Sequence, residues 1–390
     1  MKNAVLAFLA RDWAGLAIAV LVAFAGAAVL AAPYGAPIGR VAVGVALLAT
    51  AAILGGGAIY HLAHLARIHA AHPPPGRMID MGGYRVHIFA EGESKGGPSI
   101  VWFPGAHSAA FELHHLHRAL RSQTRSILID RPGTGWSDAG PFPRRTALEA
   151  VEVVKALDLA GEAGPFIWVG HSFGGLLAAN IARRHPELTA AVVLLDATPC
   201  DTIIYGPRLG NLKAMSRDAL LGALRRLFGL HNDRAAAQQR NDPIYGALIK
   251  RIDEVLGPDV LPARALAVKS GLGCASASIY RELTPEGMAS VAWDTAVYEG
   301  DLDDLLVLLV APGDSPEIAD LPEVARVPDP EARRMMRFFP LTRERYMTTS
   351  SRARRVIAPA GSGHNFPFEA PEFTIDIIKS VLTELKPENS

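Results

Sequence analysis

The 390-residue chain carries 39 basic and 39 acidic side chains, so its formal charge is zero and no basic field exists to hold a nucleic acid. Its length allows one large catalytic domain with a sizeable core plus an accessory segment. The two cysteines, Cys200 and Cys274, lack the close CxxC spacing of a zinc site or disulfide framework.

The first elements answer to a different solvent. Trp13 to Ala32 is an unbroken run of apolar and small residues, and Val41 to Tyr60 is a second, interrupted only by Thr50 and glycines. Each has about the 20 residues a helix needs to cross ~30 Å of hydrocarbon. The short turn between them, with Pro33, Gly35, Pro37, Gly39 and Arg40, allows only an antiparallel helical hairpin. Residues 1–72 are therefore expected to be a two-span membrane anchor. The first run exceeds the apolar core of a secretory signal. Lys2 and Arg11 precede the first span, Arg67 and Arg77 follow the second, and Arg40 alone lies in the turn. The positive-inside rule then puts the catalytic part on the cytoplasmic side. His61, His64, His69 and His72 are expected as residues of the membrane–water interface rather than metal ligands. The run from His72 through Pro73-Pro74-Pro75-Gly76 breaks the helix and starts the soluble part.

From Tyr84 onward, strand-length apolar runs alternate with helical stretches, the pattern of a mostly parallel sheet covered on both faces. Strands are predicted at Tyr84–Ala90, Ser99–Phe103, Ser126–Ile129, Phe166–Val169, Ala191–Leu195, Leu305–Val310 and Val356–Ala358. Helices are predicted at Phe111–Arg121, Thr146–Leu159, Gly175–His185 and Pro371–Glu384. The rhythm fails between about 201 and 300, where only helix-prone segments such as Arg217–Phe228 and Pro258–Lys269 occur. That interval reads as a helical lid inserted between two core parts, 73–200 and 301–390.

The strand Phe166–Val169 runs into Gly170-His171-Ser172-Phe173-Gly174 and then into a helix-prone segment, the context a G-x-S-x-G nucleophile elbow requires. Gly170 and Gly174 are needed because a side chain there would collide within the tight turn. A serine hydroxyl is a poor nucleophile near neutrality, so a base must take its proton and a carboxylate must orient that base. His364, in a loop after the last predicted strand, is the expected base. Asp314, after the strand Leu305–Val310, is the preferred acid, and Asp196, at the end of Ala191–Leu195, is the rival. Acyl transfer also needs donors for the developing oxyanion, for which the backbone N–H groups of Phe173 and Ala106 are the candidates. His107 is a further candidate for a substrate contact.

Three further stretches extend this pattern. Asp130-Arg131-Pro132-Gly133-Thr134-Gly135-Trp136-Ser137-Asp138, Leu194-Leu195-Asp196-Ala197 and Gly363-His364-Asn365, with the elbow, resemble the α/β-hydrolase superfamily over about Met78 to Leu385. The resemblance implies an α/β fold with a mostly parallel eight-stranded sheet, helices on both faces, a helical lid, and a triad of Ser172, His364 and Asp314. It implies no cofactor and no metal. Two departures stand out: Pro104-Gly105 replaces the frequent His-Gly of the oxyanion loop, and Pro312-Gly313-Asp314-Ser315 matches the acid loop only loosely. The expected activity is serine esterase chemistry (EC 3.1.1) on a small-molecule or lipid-like ester, with no nucleic-acid partner. Amide, lactone or carbon–carbon cleavage, acyl transfer to an alcohol, or a non-catalytic membrane-tethered binding module use the same scaffold. Haloalkane and epoxide hydrolases of this superfamily carry aspartate where Ser172 stands. The acyl group, the leaving group and the oligomeric state are not legible in the sequence.

Overall fold

Alternating side chains in short buried strands build a two-faced sheet. The computed structural model describes residues 2–33, 35–106, 108–201, 211–231, 243–284, 295–313 and 342–386. Its strands are β1 (Arg77–Asp80), β2 (Arg85–Glu91), β3 (Ser99–Phe103), β4 (Ser126–Ile129), β5 (Phe166–His171), β6 (Thr189–Leu195), β7 (Leu306–Ala311) and β8 (Ala353–Ile357). They lie in the order β1-β2-β4-β3-β5-β6-β7-β8. The pairings of β1 with β2 and β2 with β4 are antiparallel, and all the others are parallel. This is the expected eight-stranded, mostly parallel α/β-hydrolase sheet. Only β1 had no signal of its own: its four residues begin and end on a charge at the sheet edge.

The main helices are α1 (Lys2–Leu9), α2 (Ala14–Ala31), α3 (Pro37–Ala71), α4 (His114–Leu120), α5 (Thr146–Leu159), α6 (Phe173–Arg184), α7 (Asn211–Leu227), α8 (Pro243–Leu256), α9 (Ser270–Glu282) and α10 (Pro371–Glu384). On one face of the sheet Ile100, Trp102, Leu128, Ile167 and Val193 pack with Leu116 of α4 and Ile378 of α10. On the other face Val101, Phe103, Ile127, Trp168 and Val192 pack with Val153 of α5 and Leu177 of α6. Both core tryptophans satisfy their indole N–H, Trp102 on Ser126 Oγ at 2.8 Å and Trp168 on Thr189 Oγ1 at 2.9 Å. Wide rings therefore enter the core with no buried donor left unpaired.

Between β6 and β7 the chain leaves the sheet as α7, α8 and α9. The predicted helix over Pro258–Lys269 is instead a run of short helical turns, Pro258–Val260, Leu261–Ala265 and Leu266–Val268. The regular helix falls one segment later, in α9, whose two glycines and three serines have weak helix propensity. Packing decides it. A Cβ at Gly273 would meet the Ala219 carbonyl oxygen of α7 at 2.7 Å, so small residues let the two backbones approach closely.

α2 and α3 are long and apolar enough to cross a membrane. α3 has 35 residues, ~52 Å at 1.5 Å per residue, well beyond ~30 Å of hydrocarbon. Its first part exposes large apolar side chains such as Ile38 (87%) and Ile53 (76%), whereas His61, Leu65 and Ile68 are buried against the rest of the molecule. His61 thus departs from the interfacial role expected for it: its Nε2–H donates to Asp12 Oδ1 at 3.1 Å, and its Nδ1 faces His231 Nε2 at 2.9 Å. The same Asp12 oxygen accepts from the backbone N–H and hydroxyl of Ser270, at 2.8 and 2.9 Å, which ties the hairpin to the start of α9.

Candidate active site

Ser172 stands between β5 and α6 with φ 56 and ψ −123, a conformation a non-glycine residue holds only under constraint. The neighbouring glycines show the constraint. A Cβ at Gly170 would meet the Gly174 carbonyl oxygen at 2.1 Å, and one at Gly174 would meet the Phe103 carbonyl oxygen at 2.1 Å. The elbow is pinned to β6 as well: Ser172 N–H donates to the Leu195 carbonyl at 3.1 Å, and Thr198 N–H donates to the Ser172 carbonyl at 2.9 Å. The serine side chain is left half-buried at the carboxyl ends of the strands, where open α/β sheets place their sites.

Directly after β6, Asp196 also has positive φ, 43°. Its backbone N–H donates to the Val310 carbonyl of β7 at 2.9 Å. His364 Nδ1–H donates to Asp196 Oδ2 at 2.5 Å, and Arg343 Nε lies 2.9 Å from Asp196 Oδ1. Burial pushes this carboxyl up, but the hydrogen bond and charge of His364, with Arg343 behind them, outweigh it and hold the group below the ordinary aspartate value. Of the two acids considered in the sequence, the structure pairs Asp196 with the histidine. Asp314, the preferred one, lies outside the described residues, as does His107.

Two contacts hold the histidine loop. His171 Nε2–H donates to the His364 carbonyl at 2.8 Å, with the two rings 4.7 Å apart, and Gly363 N–H donates to Glu369 Oε2 at 2.8 Å. Burial pushes His171 down to about 3, so it is neutral and acts as a fixed donor. His171, read only as the serine's neighbour, therefore ties the elbow to the histidine loop. Nothing in the spacing signalled this, because the partner is a backbone carbonyl 193 residues away.

Ala106 follows β3, and Phe173 opens α6. Among the described residues neither backbone N–H is taken up by a backbone carbonyl, and a Cβ at Gly105 would lie 3.7 Å from Ser172 Cβ. Phe173 N–H also has the favourable field of a helix N-terminus. The Ala106 side chain packs with Leu176 of α6, Leu212 of α7, Tyr280 of α9 and Leu283, so the insertion forms an apolar roof beside the elbow. Beneath, buried Asp130 braces the loop after β4, accepting from Ala110 N–H at 2.8 Å, Trp136 N–H at 3.1 Å and His87 Nδ1–H at 2.9 Å. No group of three or more His, Cys, Asp or Glu side chains able to hold a metal occurs among the described residues.

A nucleophile at a strained bend, a carboxylate-bound imidazole tied to the same bend, and two N–H groups that meet no backbone carbonyl among the described residues form the set that acyl transfer uses. Comparison with known proteins agrees on the scaffold. A sequence profile described as the alpha/beta hydrolase family matches residues 100–377. The chain is 35% identical over 106 residues to the pimeloyl-[acyl-carrier protein] methyl ester esterase of Xylella fastidiosa, covering 27% of this chain and 38% of that protein. It is 27% identical over 269 residues to the dihydrolipoyllysine-residue acetyltransferase component of the acetoin cleaving system of Pseudomonas putida, covering 67% of each. The first curated relatives are matched over less than half of their length, at most 42%. Among solved structures, a thermophilic esterase from Thermogutta terrifontis superposes with TM-score 0.50 at 16% identity, over 80% of this chain and 99% of that one. An alpha/beta hydrolase from a Medee basin deep-sea metagenome library superposes with TM-score 0.53 at 13% identity, over 80% and 100%.

Proposed function

Because the chain belongs to the alpha/beta hydrolase family, we propose that it is a membrane-anchored serine hydrolase that cleaves a carboxylic ester through an acyl-enzyme on Ser172. His364 takes the Ser172 Oγ proton as that oxygen attacks the ester carbonyl, and Asp196 stabilises the imidazolium that forms. The N–H groups of Ala106 and Phe173 receive the oxyanion. The imidazolium then protonates the departing alkoxide, leaving the acyl group on Ser172. Water, deprotonated by the same imidazole, attacks that acyl carbonyl and releases the acid and the free serine.

The observation that carries this reading is the 2.5 Å bond between His364 and a buried Asp196, at the tip of the strand beside the elbow. The methyl ester activity of the Xylella relative and the roof of Leu176, Leu212, Tyr280 and Leu283 favour an ester with an apolar part. The exposed apolar faces of α2 and α3 support a bilayer as their surroundings, with the helical insertion as a lid near lipid. A fluorophosphonate probe on the full chain in detergent, together with a panel of aryl esters graded in acyl length, tests the chemistry. Labelling and turnover are expected in the wild type and absent in Ser172→Ala. A folded wild type that neither labels nor turns over any ester would overturn the proposal.

A further inference from the structure

Arg131 belongs to the Asp130–Asp138 stretch, which the proposed chemistry leaves without a part. Its side chain is only 1% exposed, where an arginine sits only if its charge is matched. Nη1 lies 3.3 Å from Glu149 Oε2 of α5, and Glu149 is itself held by Arg144. The other arm turns toward the site. Nη2 donates to the Gly105 carbonyl at 2.7 Å and to the Ala106 carbonyl at 3.0 Å. The guanidinium carbon also sits 5.0 Å from the centroid of the Phe173 ring, within cation–π range. One cation thus touches both segments that carry the candidate oxyanion donors.

Peptide geometry gives these contacts a direction. The Gly105–Ala106 bond is not among the cis peptides, so its C=O and N–H point opposite ways across one plane. A carbonyl drawn onto Arg131 therefore turns the Ala106 N–H away from the arginine, and the loop at Gly105 lies against Ser172 Cβ. Donation from a charged group also polarises the amide and makes its N–H a stronger donor. We propose that Arg131 is a positioning residue for the oxyanion hole, fixing the Gly105–Ala106 peptide through the Gly105 carbonyl and bracing the loop through the Ala106 carbonyl while its face holds the Phe173 ring. The proposal rests on the serine hydrolase reading above. Lysine cannot reproduce it fully, because a point charge cannot serve two carbonyls, a carboxylate and a ring face at once.

The test uses the full chain in detergent with Arg131→Lys, Arg131→Met and the double variant Arg131→Met/Glu149→Gln, which removes both partners of the buried pair. Active sites are titrated with a fluorophosphonate over long incubation, so that kcat refers only to folded, competent molecules. Loss of an ordered oxyanion donor is expected to lower kcat about 10²-fold in Arg131→Met with little change in KM. Arg131→Lys should fall between that variant and the wild type, and affinity for a boronic acid that mimics the tetrahedral state should fall in parallel with kcat. If the variants instead lose titratable sites while the remaining sites keep wild-type kcat and boronate affinity, Arg131 is a structural brace and the proposal fails. Should Arg131→Met not accumulate, the same comparison is decided by Arg131→Lys and the double variant. A wild type with no titratable serine would overturn the parent reading instead, so the two failures are distinguishable.

Discussion

A non-glycine residue held at positive φ costs on the order of 1–3 kcal/mol. Ser172 and Asp196, at the tips of neighbouring strands, are both held there, φ 56 and 43. Hydrogen bonds with Leu195, Thr198 and Val310 hold both residues in this conformation. Asparagine tolerates such a backbone at least as well as aspartate, so Asp196→Asn isolates the charge from the fold. We expect that variant to lose about 10⁴-fold in kcat, the scale seen when a triad carboxylate is neutralised. Asp314→Asn should stay within a few-fold of the wild type. Steady-state kinetics on one aryl ester decides, and the reverse ranking would move the acid to Asp314. Replacing His171 by Phe should lower kcat with retained folding, because the donor that ties the His364 carbonyl to the elbow is lost; a kcat equal to wild type would show that Glu369 alone holds the loop.

Among the elements, the hairpin and the insertion meet through glycine. A Cβ at Gly15 of α2 would meet the Leu227 carbonyl oxygen at 2.3 Å, and one at Gly57 of α3 would meet the Phe228 carbonyl oxygen at 2.3 Å. The carboxyl end of α7 thus sits directly on both candidate spans, while Leu6, Leu9 and Ala14 pack with Ala223, Leu227 and Cys274 around it. Overpacking such a contact costs typically about 1–3 kcal/mol. Gly57→Val is therefore expected to lower the thermal midpoint in detergent and to speed proteolytic cutting within the insertion. The outward-facing Gly56→Val, with open space at its Cβ, serves as the control. Equal cutting in both variants would mean that the anchor does not restrain the insertion.

Across the whole molecule, buried histidines set the acid limit. Burial pushes His115 and His117 down to about 4, and His171 down to about 3. In the unfolded chain each would take a proton near its ordinary value of about 6.5. Between that value and the folded ones the unfolded state binds more protons, so stability falls as pH falls from about 6.5 toward 4. Two buried carboxylates run the other way in cause but share the direction. Asp130 and Asp196, held below the ordinary value of 3.8, keep their contribution above it and lose it only in stronger acid. A thermal midpoint flat above about pH 7 and declining below 6.5 is expected, with a shallower decline in His117→Gln. For the anchor, a carboxyl-terminal alkaline phosphatase fusion should be inactive and a fluorescent protein fusion bright, as the charge balance of Lys2, Arg11, Arg67 and Arg77 against Arg40 requires. The opposite pair of results would invert the proposed orientation.

Much of the scaffold was legible along the chain because local pattern decides it. β3, β4, α5 and α10 fall on the residues that periodicity marks, and Gly170-His171-Ser172-Phe173-Gly174 announces a strand, turn and helix within ten residues or so. α9 was not legible, since its two glycines and three serines are weak helix formers and its close packing on α7 is a contact between distant segments. The partner of His364 was undecided for a similar reason. Asp196 and Asp314 both follow a predicted strand and both satisfy the chain order, and a bond across 168 residues depends on how neighbouring strand tips meet in space. The same holds for Arg131 and the carbonyls of Gly105 and Ala106. Sequence determined the apolar spans, the strand pattern and the elbow, because these rest on side-chain period and backbone sterics. Only the tertiary structure decided which carboxylate meets the imidazole and which cation meets the carbonyls of the loop, because those are contacts between segments far apart in the chain.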